Sequence, residues 1–78
     1  MIFEKVIEVI VDQLTVEASS ITPETSFVSD LGADSLDIFR LVTELEEFYE
    51  IEFEPTELTN MKTVADVVSY IENAVDKG

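Results

Sequence analysis

The sequence predicts an all-α fold, a small antiparallel helical bundle with three main helices, one short helix and a long loop between helices one and two. Three observations carry that expectation. Apolar residues recur at helical spacing in three separate stretches, while no hairpin signal and no internal repeat interrupts them. Of 78 residues 46% are hydrophobic, enough for a packed core despite a net charge of -14, so disorder is disfavoured. A chain of this length is expected to form a single domain over residues 1–78. It buries only about 60% of the surface its unfolded form exposes, which disfavours a large enclosed active site.

Residues 2–14 place Phe3, Val6, Ile7, Ile10 and Leu14 on one stripe and Glu4, Lys5, Glu8 and Asp12 opposite, which predicts the first helix. From Thr15 the period stops, and Ser19, Ser20, Thr22, Pro23, Ser29 and Gly32 mark a loop reaching Asp34. Loops this long in compact domains are uncommon unless functional or pinned by their own side chains. Ile21, Phe27 and Leu31 are the expected pins. The second helix is expected over about 35–50, capped by Asp34, with Asp37 adding a second carboxylate at the positive end of the helix dipole. Ile38, Leu41, Val42, Leu45, Phe48 and Tyr49 gather on its core-facing seam. Leu36 and Phe39 fall on the other side, beside Arg40, Thr43, Glu46, Glu47 and Glu50, where stability alone would not put them. They read as a contact surface. Pro55 suits the first position of a short third helix, about 55–60. Thr63 to Asp66 has the form of a capping box with Asp in place of Glu. It opens a last helix whose Val64, Val67, Val68, Ile71 and Val75 lie on one side, with Gly78 leaving its end free.

Composition excludes several functions. With 18 Asp and Glu against 4 Lys and Arg, direct nucleic-acid binding is excluded, since phosphate neutralisation needs surface cations. Partners are expected to be basic. The absence of cysteine removes disulfides, thiol catalysis and thiolate metal sites. No apolar run is long enough to span a membrane and no signal-peptide pattern is present, so a cytoplasmic location is expected.

Ser35, just behind a Gly32-containing turn, is the residue that the amphipathic second helix opens on. A catalytic triad would need a base, and the sequence has no histidine. Ser-Lys chemistry would have to use Lys5, Lys62 or Lys77, none in a context that suggests a depressed pKa, so the chain is not expected to be an enzyme. A serine modified by another enzyme explains both its place and the outward Leu36 and Phe39. A phosphate ester there would meet the N–H groups and positive dipole end of the helix. Calcium binding is the rival for so acidic a chain, but an EF-hand frame from Asp30 puts Gly32 where an oxygen ligand belongs, Ser35 at the glycine position and Leu41 at the final glutamate. No specific metal site is expected.

The run Phe27-Val28-Ser29-Asp30-Leu31-Gly32-Ala33-Asp34-Ser35-Leu36-Asp37 resembles the signature of acyl carrier proteins, and the similarity extends over nearly the whole chain, through Glu46-Glu47 and Met61-Lys62-Thr63-Val64. The resemblance implies that Ser35 receives 4'-phosphopantetheine from coenzyme A through a phosphodiester, in a reaction catalysed by a separate holo-synthase with Mg2+. The thiol of the arm then carries acyl groups as thioesters. It also implies an acyl pocket between helices, for which Val42, Leu45, Leu58, Ala65 and Ile71 are candidates. Asp34, Leu36, Asp37, Phe39, Arg40, Thr43, Glu46 and Glu47 would form the face met by basic synthases, reductases, dehydratases and acyltransferases. The carrier is expected to be a monomer.

Departures bear on the kind of carrier. Arg40 stands where fatty-acid carriers usually have an acidic residue, Phe39 and Thr43 where they often have smaller or more apolar ones, and Phe48 where glutamate is common. Arg40 either pairs along the helix with Glu44 or Glu47, or selects a partner bearing an acidic residue. A free-standing carrier for fatty-acid synthesis is the first reading. A dedicated carrier for polyketide, lipid-modification or aminoacyl transfer is the second, and an acidic scaffold or inhibitor domain without a prosthetic group is the third.

Overall fold

The computed structural model describes residues 2–77, apart from the side chain of Lys77. The element order is α1 (Ile2–Leu14), one turn of 3-10 helix (Ala18–Ser20), α2 (Ser35–Tyr49), α3 (Pro55–Leu58) and α4 (Val64–Lys77). No strand occurs among the described residues, only an isolated antiparallel bridge between Ser26 and Thr63. Three long helices and one short one match the expected bundle. Gly78, expected to leave the last helix free, lies outside the described residues.

Helix α1 packs against both α2 and α4. Lys5, near its start, sits 4.0 Å over the ring of Phe48, near the end of α2, and Ile2 shares a groove with Asn73 and Val75 near the end of α4. Both neighbours are therefore antiparallel to α1. Its buried stripe is Val6, Val9 and Ile10, with Phe3, Ile7 and Leu14 half-buried, so the core-facing side is turned toward Val9 from the predicted line. Leu41, Val42 and Leu45 of α2 and Val64, Val67 and Ile71 of α4 complete the centre.

Two apolar residues expected in the core are not there. Phe48 is 58% exposed: its ring lies at the edge of the seam, edge-on to Tyr49 and under the Lys5 ammonium. Val75, on the last turn of α4, is 44% exposed beside the start of α1. Helical periodicity places both on the apolar side, but no third element covers them. Helix α3 ends at Leu58, two residues short of expectation, with Thr59 and Asn60 forming a turn.

The long loop is held by backbone hydrogen bonds as well as by its apolar pins. Ile21 and Phe27 are buried, as is Ala33, while Leu31 is half-buried. The first N–H groups of a helix lack partners within it. Here Val64 N–H donates to Thr25 O at 3.0 Å and Ala65 N–H to Pro23 O at 2.9 Å, so the loop supplies the acceptors that the start of α4 lacks. Asp66 and Thr63 add the expected reciprocal cap, the Asp66 carboxylate accepting from Thr63 N–H at 3.0 Å and from Lys62 N–H at 2.9 Å.

Those two N–H groups, above all Thr63, hold the Asp66 carboxyl below the usual aspartate range. A folded pKa lowered in this way contributes stability that is present above the ordinary value and is lost as pH falls through the lowered one. Asp66→Asn is therefore expected to be less stable than the parent at neutral pH. The gap in urea midpoint should begin to close as pH drops below about 4, the ordinary value at which an aspartate of the unfolded chain takes up its proton; a gap that stays constant to pH 3 would contradict this role.

Helix α2 ends on Glu50 in the left-handed conformation (φ 55, ψ 50), whose N–H donates to Glu46 O. Glycine takes that conformation without the penalty a Cβ imposes. Glu50→Gly is expected to stabilise the chain by about 1 kcal/mol, raising the thermal midpoint; an unchanged or lower midpoint would show the side chain to be engaged elsewhere. Beyond it, Tyr70 of α4 clasps the connection to α3. Its ring stacks on Phe53 (4.6 Å, 16°), and its hydroxyl donates to Glu52 O at 3.1 Å and accepts from Glu54 N–H at 3.0 Å.

Candidate functional site

Asp34 and Asp37 close a reciprocal box at the start of α2: Asp37 N–H donates to Asp34 Oδ1 at 2.9 Å and Asp34 N–H to Asp37 Oδ2 at 3.2 Å. The cap therefore uses the residues on either side of Ser35 and leaves the serine hydroxyl free of any hydrogen bond among the described residues. Ser35 is exposed in the first turn.

The segment before it is a closed turn. Ala33 N–H donates to Phe27 O at 2.8 Å, Leu31 N–H to Ser26 O at 3.1 Å and Ser26 N–H to the Asp30 carboxylate at 2.7 Å. Gly32 joins this turn to Asp34 at φ 65, a backbone that favours glycine. Phe27 N–H in turn donates to Lys62 O at 3.0 Å, tying the turn to the entry of α4.

Ser35 lines a cleft of about 560 Å³ between this turn and α3. Buried Met61 and half-buried Ile38 and Leu58 form its apolar floor. Exposed Val28, Ser29, Phe39, Thr59 and Lys62 stand on its rim. Of these, Val28, Ser29, Ile38, Thr59, Met61 and Lys62 were not singled out as site residues from the sequence. The available signal was Val28, a second apolar residue directly after the buried pin Phe27; it is 65% exposed.

The acyl-pocket candidates separate. Leu58 lies in the cleft beside Ser35. Val42 and Leu45 border an interior gap of only about 10 Å³, where α1, α2 and α4 meet. Ile71 is fully buried and Ala65 half-buried, and neither lines either space.

On the side of α2 turned away from the core, Leu36 is 61% and Phe39, which also stands on the cleft rim, 60% exposed, as expected for a contact surface. Phe39, Arg40, Thr43, Glu44 and Glu47 border a shallow depression. Arg40 is exposed and forms no ion pair with Glu44 or Glu47. Thr43 is half-buried, its hydroxyl donating to Phe39 O at 2.8 Å, so it presents chiefly its methyl group. Glu46 departs from the expected exposed face. It is half-buried, and its carboxylate accepts from Phe53 N–H at 2.7 Å, anchoring the connection to α3.

The helical domain thus offers an exposed serine hydroxyl, free of hydrogen bonds among the described residues, beside a cleft with an apolar floor. The family model of the phosphopantetheine attachment site matches residues 4–71. Acyl carrier proteins from Clostridium acetobutylicum and Helicobacter hepaticus are each 51% identical to this chain, over 91% and 90% of it and 92% of their own lengths. One from Syntrophus aciditrophicus is 46% identical over 87% of this chain and 85% of its own. The solved structure of a candidate acyl carrier protein from Mycobacterium tuberculosis superposes with a TM-score of 0.87 at 34% identity, covering 94% of this chain and 97% of its own. The chain belongs to the acyl carrier proteins, within the phosphopantetheine-attachment family. Its prosthetic group is 4'-phosphopantetheine, and its role is that of an acyl carrier.

Proposed function

We propose that residues 1–78 form one acyl-carrier domain in which Ser35 accepts 4'-phosphopantetheine and presents acyl intermediates to the enzymes of fatty-acid synthesis. The observation that supports Ser35 most directly is its exposed, unengaged hydroxyl on the edge of a cleft with an apolar floor. The residues there suit the group: first-turn N–H groups of α2 have no intrahelical acceptor and favour an attached phosphate, and the floor of Ile38, Leu58 and Met61 suits the dimethyl and methylene groups of an extended arm. When bound, the group supplies the thiol that the chain lacks and holds the acyl cargo as a thioester.

Loading requires a phosphopantetheinyl transferase, which takes the Ser35 proton, since the neighbouring Asp34 and Asp37 carboxylates accept from backbone N–H groups and the hydroxyl makes no hydrogen bond among the described residues. Asp34 and Asp37 hold the serine at the helix mouth, while Leu36, Phe39 and Glu47 present mixed apolar and acidic contacts to basic synthases, reductases, dehydratases and acyltransferases. Monomeric action in the cytoplasm fits this role; no helix among the described residues is long and apolar enough to cross a membrane. Arg40, unpaired within an acidic face, favours the second reading of a carrier dedicated to another acyl-transfer pathway. Intact mass after incubation with coenzyme A and a transferase tests the carrier reading. Gain of one phosphopantetheine is expected, and no gain would overturn it.

A further inference from the structure

Lys62 is the one cation on the rim of the Ser35 cleft, and its ammonium makes no ion pair among the described residues. Lys5 is engaged by Glu8 at 3.4 Å and by the Phe48 ring, and Arg40 lies on the other face of α2. The Lys62 backbone is fixed from both sides, its carbonyl accepting from Phe27 N–H at 3.0 Å and its N–H donating to Asp66 at 2.9 Å. The Asp66 carboxylate is occupied by backbone N–H groups, and the Lys62 charge is the smallest of the influences on it. An exposed ammonium on a hydrogen-bonded backbone thus borders a cleft that contains no acidic side chain in its lining.

Two further observations say what the cleft is for. Val28 and Phe39 leave apolar surface uncovered on its rim. Its volume of about 560 Å³ falls among those that hold sizeable ligands, whereas the interior gap of about 10 Å³ is smaller than the space of one water in the liquid.

Resting on the assignment of the arm to Ser35, we propose that Lys62 is a positioning residue that pairs with an anion on that arm and folds it, with its cargo, across Val28, Leu58 and Met61. The shared chemistry is an oxyanion facing one ammonium, supplied either by the phosphodiester at the root of the arm or by a carboxylate at the far end of the cargo. Pairing at Lys62 gives the resting carrier a folded-back state from which a partner enzyme must withdraw the arm.

The test loads the full chain and its Lys62→Gln variant with phosphopantetheine, butyryl-phosphopantetheine and succinyl-phosphopantetheine, and scores intact mass first. Methyl resonances of Val28, Leu58 and Met61 are then compared with the unloaded chain at low and high salt. Loading is expected to shift them in the parent, and Lys62→Gln to reduce the folded-back population about two- to fivefold, the range an exposed ion pair supports. High salt should do the same to the parent, and Lys62→Arg should restore the shifts. Equal reduction in all three forms supports pairing with the phosphodiester; reduction in the succinyl form alone supports pairing with a cargo carboxylate. Methyl shifts that are absent in the parent, or identical in Lys62→Gln for every form, overturn the proposal. A chain that gains no mass overturns the Ser35 assignment and this proposal with it.

Discussion

Leu45→Ala is expected to cost about 2–5 kcal/mol, the range for truncating a buried leucine. Leu45 is 1% exposed at the meeting of three helices and borders the small interior gap with Val6, Ile10 and Val67. Removing its isopropyl group enlarges that gap into a cavity lined largely by β-branched side chains such as Val6, Ile10 and Val67, whose rotamers are stiff, so collapse around the space is incomplete. A domain of this size has on the order of 5–10 kcal/mol in total, which makes the loss a large share of the fold's stability. The thermal midpoint should drop by on the order of 10 °C or more. Phe39→Ala is the control, since a 60% exposed ring on the far side of the same helix should change stability by no more than about 0.5 kcal/mol. Equal losses for the two variants would mean that the two faces of α2 have been exchanged.

The faces of α2 were legible because its apolar and acidic residues segregate at helical spacing and Leu41, Val42 and Leu45 sit in the middle of the stripe. Phe48 and Val75 lie at the ends of their helices, where periodicity assigns a side but cannot tell whether another element reaches far enough to cover it. The exposed place of Ser35 at the mouth of α2 was legible from its motif. The cleft beside it was not, because it is built by residues distant in sequence, brought together when Phe27 N–H bonds to Lys62 O and when Thr25 and Pro23 cap α4 with their carbonyls. Backbone acceptors leave no trace in side-chain pattern. Glu46 was misplaced for a related reason: its position on the helix surface points outward, yet the connection to α3 folds back and offers it the Phe53 N–H.

Ser35→Ala is expected to abolish phosphopantetheine loading while leaving the fold intact. The hydroxyl takes no part in the cap, which Asp34 and Asp37 make between them, and alanine is the best helix former for an exposed first-turn position. The thermal midpoint should therefore stay within about a few degrees of the parent, the shift expected when only surface propensity changes. Three other hydroxyls line the same cleft, so the assignment needs a discriminating control. Thr59 donates its hydroxyl to Thr56 O at 2.9 Å, and Ser26 Oγ accepts from Ser29 N–H at 3.0 Å, which engages both in their own turns. Ser29 is the closest rival, exposed on the rim. It sits in the closed 26–33 turn and not at a helix N-terminus, and so lacks the first-turn N–H groups that favour an attached phosphate. Ser29→Ala should load at close to the parent rate. Intact-mass measurements on the two variants, incubated side by side with coenzyme A and the same transferase, decide between them: a mass gain in Ser35→Ala, or its loss in Ser29→Ala alone, would move the attachment site to the turn.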